Sequence, residues 1–175
     1  MAITAETRKA IIELVVTAYD AAPGTTLLTE LVAIVDDGGS LADVATELTT
    51  RTEWTSKYPA FQTSEEFGAD WLGNLVPEAS ATAIADGVEA VAGLITGGSS
   101  FASLLTTAQG YLSTLAVTDA SFGASAGNFN NKVAVATNHT VILEQTDLST
   151  TAISGVTSDI ATVTTANAAN GSGSS

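Results

Sequence analysis

Residues 36–43, Asp-Asp-Gly-Gly-Ser-Leu-Ala-Asp, and residues 96–103, Thr-Gly-Gly-Ser-Ser-Phe-Ala-Ser, carry the same punctuation sixty residues apart. Leu28, Leu31, Val32 and Val35 precede the first, and Ile84, Val88, Val91 and Ile95 precede the second, at the three-and-four spacing of a helix face. A glycine pair then stops each helix, because the residue after a helix end takes positive φ and glycine has no Cβ to oppose it. Ser40 and Ser100 follow as N-caps, and Asp43 three residues past Ser40 completes a capping box. At an offset of sixty, Leu28, Leu31, Val35, Gly38, Ser40, Leu41, Ala42 and Val44 match Val88, Val91, Ile95, Gly98, Ser100, Phe101, Ala102 and Leu104. A helix that stops and restarts within four residues leaves no room for a strand, so each corner orients two short antiparallel helices.

The remaining periodicity is also helical. Thr4 caps a stripe of Ile12, Val15, Val16 and Tyr19 that ends at Ala21-Ala22-Pro23-Gly24. Leu41, Val44, Ala45 and Leu48 form the next buried face. Thr63 and Glu66 make a second capping box ahead of Phe67, Trp71 and Leu75, and Pro77 closes that helix. Phe129, Val133 and Ala136 predict a helix continued through Val141, Ile142 and Leu143, and Val156, Ile160 and Val163 predict another. The expected fold is an all-α bundle of seven or eight short helices in one domain over residues 1–170. Its pseudo-repeated halves lie near 10–60 and 64–120, its C-terminal helices over 124–170, and a flexible linker over 171–175 implies that the natural chain continues.

Charge narrows the function. Five basic residues against nineteen acidic ones give a net charge of −14, which repels nucleic acid and anionic membrane surfaces alike. No run approaches the ~20 apolar residues of a membrane-spanning helix. The N-terminal stretch is not a Sec signal, because Glu13 interrupts the apolar run after Arg8 and Lys9. The chain is therefore expected in the cytoplasm or on an export route that leaves the N-terminus intact. It has no cysteine, and its one histidine, His139, has no clustered partner, so no catalytic constellation is visible and a non-enzymatic protein is expected.

Two groups of residues can carry binding. Asp36 and Asp37 sit at a helix C-terminus, where the dipole disfavours negative charge; a cation relieves this, and calcium suits carboxylates with nearby backbone carbonyls. Calcium is thus the one cofactor these residues admit. Trp54 and Tyr58, beside Arg51 and Lys57 in Arg-Thr-Glu-Trp-Thr-Ser-Lys-Tyr, can stack on a sugar ring if exposed, and core packing is the competing role. Asn130 and Lys132, in Asn-Phe-Asn-Asn-Lys, offer amides and a cation to hydroxyl groups, or form an N-capped helix start. The segment 51–71 bridges the two halves, so Trp54, Arg51, Lys57 and Lys132 are expected to border a groove between them.

The ordered segments Asn130-Asn131-Lys132-Val133-Ala134-Val135-Ala136 and Gly155-Val156-Thr157-Ser158-Asp159-Ile160-Ala161-Thr162-Val163, with the Gly-Gly-Ser-Leu-Ala-Asp corner, make most of residues 10–170 resemble a known group. It is the N-terminal helical region of bacterial S-layer and RTX-type secreted proteins that carry DUF4214-like repeats. The resemblance implies an extracellular protein exported by a type I system and located at the cell surface. It also implies an anchoring module that binds lipopolysaccharide or another surface glycan. A self-associating structural protein of an extracellular lattice or filament is the alternative.

Overall fold

In the computed structural model, which describes residues 3–172, Thr4 opens α1 (Ala5–Tyr19) by accepting the Thr7 amide on its side chain. Every residue from Ile11 to Tyr19 is buried, Glu13 and Thr17 included. A helix segment buried on all sides lies at the centre of a bundle, and residues 11–19 of α1 are that segment. The helix packs on α3 (Leu41–Thr50), α7 (Phe101–Thr114) and α8 (Gly123–Thr137). The 12-15-16-19 stripe thus describes only part of its buried surface; Ile11, Leu14 and Ala18 are buried too.

The other helices are α2 (Gly24–Asp36), α4 (Thr52–Lys57), α5 (Ser64–Leu75), α6 (Ala81–Thr96) and α9 (Ala161–Ser172). The described residues thus hold nine α-helices, with no strand and a single isolated bridge between Ala22 and Ser149. The protein is all-α. No described helix is long and apolar enough to cross a membrane.

The two corners close with the same bonds. Gly38 and Gly98 take φ of 100° and 101°. The Gly38 amide donates to Val35 O (3.0 Å) and the Gly39 amide to Ile34 O (2.8 Å). Gly98 donates to Ile95 O (3.0 Å) and Ser99 to Leu94 O (2.9 Å) in the second corner. This pairing satisfies the last helix carbonyls and reverses the chain. Ser40 and Ser100 then accept the amides of Asp43 and Ser103 at 3.3 and 3.1 Å. The corners bring α3 and α7 against each other over α1. The helices that run into the corners do not pack alike: α2 lies on α1 and α3, whereas α6 packs chiefly on α5.

Aromatic side chains join α4, α5 and α7. Trp54 lies 4.7 Å from Tyr58, 5.7 Å from Phe67 and 5.6 Å from Phe101 between ring centroids. Phe67 stacks on Trp71, whose indole N–H donates to Thr17 O at 3.0 Å.

The C-terminal part departs from the sequence expectation in three places. After Thr137 the chain widens into a π-turn, Asn138–Ile142, rather than continuing as an α-helix, and Leu143 N–H reaches back to Asn138 O at 2.9 Å. The turn aims the Thr140 hydroxyl at the Gly24 amide (3.3 Å). Residues 145–149 then strap the start of α2: Thr25 donates to Gln145 O at 2.8 Å, and Ala22 and Ser149 exchange two 2.9 Å bonds. This supplies partners to α2, whose N-cap is Pro23 without a side-chain bond. Next, Val156 is buried but Ile160 is 68% exposed, because the Asp159 carboxylate takes the Ala161 amide and starts α9 there. Finally, α9 runs on through Ser172, so positions 171 and 172 of the expected linker are helical and 173–175 lie outside the described residues.

Candidate functional site

The C-terminal end of α1 leaves carbonyl groups without helical partners, and side chains from distant segments supply them. Trp71 covers Thr17 O, and the Lys57 ammonium donates to Tyr19 O at 2.9 Å. A cation at this position also complements the negative end of the helix dipole. Asp20 ends the helix in the left-handed region, φ 51° and ψ 48°, a conformation that Asp tolerates better than most residues. That turn presents its carboxylate to Lys132 of α8, with Nζ 2.7 Å from Oδ1. Lys132 is only 8% exposed. Burial pulls the Lys57 ammonium below its usual range; Asp20 opposes that shift and the Lys132 charge adds to it.

These three charged groups open onto a cleft of about 450 Å³. Its far wall is Thr150, Thr151 and Ser154, placed there by the strap across α2, and Pro77, Ile153 and Val156 contribute apolar surface. Ser154 donates its hydroxyl to Thr151 O at 3.1 Å. The Thr150 and Thr151 side chains are exposed and make no hydrogen bond within the described residues. A carboxylate, two ammonium groups and free hydroxyls in one cleft can both donate to and accept from a polyhydroxylated ligand.

The structure brings Lys57 and Lys132 together and disperses the other expected site residues. Trp54 and Tyr58 are buried, 2% and 5% exposed, so neither presents a face to a sugar; the expected aromatic platform is corrected to core. The Tyr58 hydroxyl accepts Asn74 Nδ2 at 3.3 Å, and burial pushes its pKa up to about 12. Arg51 is held by carboxylates from three segments, Glu30 at 2.9 Å, Glu47 at 3.1 Å and Glu53 at 3.7 Å, and ties α2, α3 and α4 together. Asn130 and Lys132 lie in the middle of α8, not at a helix start. Two residues apart on a helix means ~200° of rotation, so Asn130 faces a different cleft, shared with Arg8 and Lys9.

Asp36 and Asp37 are exposed at the first corner. The carbonyls a cation there would need already accept the corner's own amides: Ala33 O from Asp37, Ile34 O from Gly39 and Val35 O from Gly38. Among the described residues no group of three or more His, Asp or Glu side chains can hold a metal ion. These residues do not fit a calcium site, which needs six to eight oxygen ligands.

Sequence reasoning missed Asp20, the Thr150–Thr151 wall and Phe61. Asp20 has a signal, since it precedes the Ala-Ala-Pro-Gly stop where a left-handed residue is wanted. Phe61 is the exposed aromatic of the bridging segment, at 87% exposure.

No known family model matches the chain, and no curated protein or solved structure matches it significantly.

Proposed function

We propose that the chain is a non-enzymatic cell-surface module, the anchoring part of an S-layer-like secreted protein. It holds a surface glycan, such as the polysaccharide of lipopolysaccharide, in the cleft of Asp20, Lys57 and Lys132. One observation carries this reading: Asp20 is fixed by Lys132 at 2.7 Å while Lys57 and the unengaged Thr150 and Thr151 hydroxyls share the same cleft. The internal ion pair offsets charge, so the cleft suits a neutral or weakly charged ligand bound by hydrogen bonds. Pre-set polar groups recognise hydroxyls without the ordering cost of a mobile site.

Calorimetric titration with delipidated polysaccharide from the producing strain tests the reading. Asp20→Asn preserves a residue that tolerates the left-handed turn, and Thr150→Val removes an exposed hydroxyl. Each is expected to weaken binding by about tenfold, the worth of one well-placed polar contact. Undiminished binding by both folded variants rejects this cleft, and no binding by the wild type rejects the function.

Self-association into a lattice or filament is the second reading. Phe61, at 87% exposure, is the apolar side chain such an interface would cover. Sedimentation velocity over a concentration series distinguishes the two, since lattice formation requires assembly without glycan.

A further inference from the structure

A second cleft, of about 630 Å³, lies elsewhere, where α1 and α8 meet near Ser113 of α7. It collects the cations the rest of the fold does not engage. Arg51 and Lys132 are ion-paired, and Lys57 sits on the Tyr19 carbonyl. Arg8 and Lys9 form no ion pair or side-chain hydrogen bond within the described residues, and both line this cleft. The field of Glu13 reaches Lys9, but the Glu13 carboxylate itself bonds Gln109.

The polar groups beside these cations have a definite hydrogen-bonding sense. Ser113 and Thr137 already donate their hydroxyl hydrogens, to Gly110 O at 3.2 Å and Val133 O at 2.8 Å. They therefore face a ligand as acceptors. Asn130 makes no side-chain bond within the described residues and offers an amide of both senses. Two cations and an amide N–H call for an oxyanion, and two hydroxyl acceptors call for ligand O–H donors. Ala5 and Ala134, both exposed, supply apolar surface to the cleft.

We infer that this cleft binds a polyhydroxylated acid: a sugar ring bearing a carboxylate or a phosphate. The anion meets Arg8 and Lys9, and ring hydroxyls donate to Ser113 and Thr137. The whole-molecule charge of −14 selects a compact anion. Extended polyanions and charged bilayers meet the acidic surface as well as the cleft, whereas at physiological salt a single oxyanion inside the cleft senses charges within ~8 Å. This inference is independent of the glycan reading of the Asp20 cleft, and its readouts fall on different residues.

The test is a backbone and side-chain NMR titration of the full chain with glucuronate, glucose 1-phosphate, glucose, inorganic phosphate and phosphatidylglycerol vesicles. Saturable millimolar or tighter binding of glucuronate or glucose 1-phosphate is expected, with shifts at Arg8, Lys9 and Asn130. Arg8→Gln and Lys9→Gln, both at accessible positions, are expected to weaken it by about tenfold each. The assignment is overturned if neither acid binds, if glucose binds as well as the acids, or if both folded variants bind undiminished. Equal affinity for inorganic phosphate overturns the hydroxyl-acceptor part and with it the sugar class. Preferential binding of vesicles overturns the compact-anion argument.

Discussion

Replacing Trp54 with alanine separates a core role from a ligand role for the residue that looks most like a sugar platform in the sequence. The indole is 2% exposed and touches Tyr58, Phe67 and Phe101, which come from three different helices or their ends. Truncating a buried tryptophan costs about 3–5 kcal/mol in lost transfer energy and residual cavity. A domain of this size is typically stable by only ~5–15 kcal/mol, so the loss is a large share of the whole. For 150–250 residues each kcal/mol moves the melting midpoint by about 2–4 °C, which gives a fall of roughly 6–20 °C. Thermal and urea unfolding followed by circular dichroism at 222 nm read this directly. Phe61→Ala is the control: its side chain is 87% exposed, and surface changes stay within about 0.5 kcal/mol. A Trp54→Ala variant that unfolds within about 1 kcal/mol of the wild type refutes the packing of α4 against α5 and α7 and returns Trp54 to the surface.

Three further outcomes are expected. Gly38→Ala and Gly98→Ala should destabilise by similar amounts, at least ~1 kcal/mol each, because both positions have φ near 100° and nothing within 4 Å of the added Cβ; unequal losses in urea melts mean that the two corners are not equivalent. Glu13→Gln should stabilise the protein at neutral pH. Burial raises the Glu13 carboxyl above its ordinary 4.5, with the Gln109 bond and Lys9 opposing, so the wild type loses stability as pH rises from there through the folded value. The variant's advantage should therefore vanish in melts below about pH 4, where both states of the wild type hold the proton; an advantage that persists there contradicts the desolvation argument. Arg51→Met should loosen the meeting of α2, α3 and α4 by about 1 kcal/mol or less, because the three glutamates it pairs with remain solvated at 40–50% exposure; native-state hydrogen exchange at those helix ends checks it.

The corners were legible because their signals are local. A glycine pair and a serine cap act within one turn of backbone, and the bonds at Gly38 and Gly98 follow from those residues alone. The all-round burial of Ile11–Tyr19 was not, because a helix at the centre of a bundle has no polar face and its periodicity fades. Trp54 and Tyr58 sit in a polar stretch, yet their four-residue spacing puts them on one face of α4, and only the tertiary position of α4 decides that this face is inward. Asn130 and Lys132 are neighbours in sequence and on opposite sides of α8, so grouping them required a helix start that does not occur there. The start of α9 was obscured by side-chain turns: Asp159 and Thr162 bind nearby amides and fix the start at Ala161 where periodicity extends the helix back to Val156. The cleft of Asp20 depends on the strap of residues 145–149 over α2, a long-range pairing that no local pattern announces.

The most direct test of the surface-glycan account is an amide-resolved NMR titration of the chain with delipidated polysaccharide from the producing strain. The account predicts saturable shifts at Asp20, Lys57 and the stretch from Thr150 to Gly155, which line one cleft, with Trp54 and Asp36 unmoved. Saturable shifts confined to other surfaces, or none at any polysaccharide concentration, contradict it.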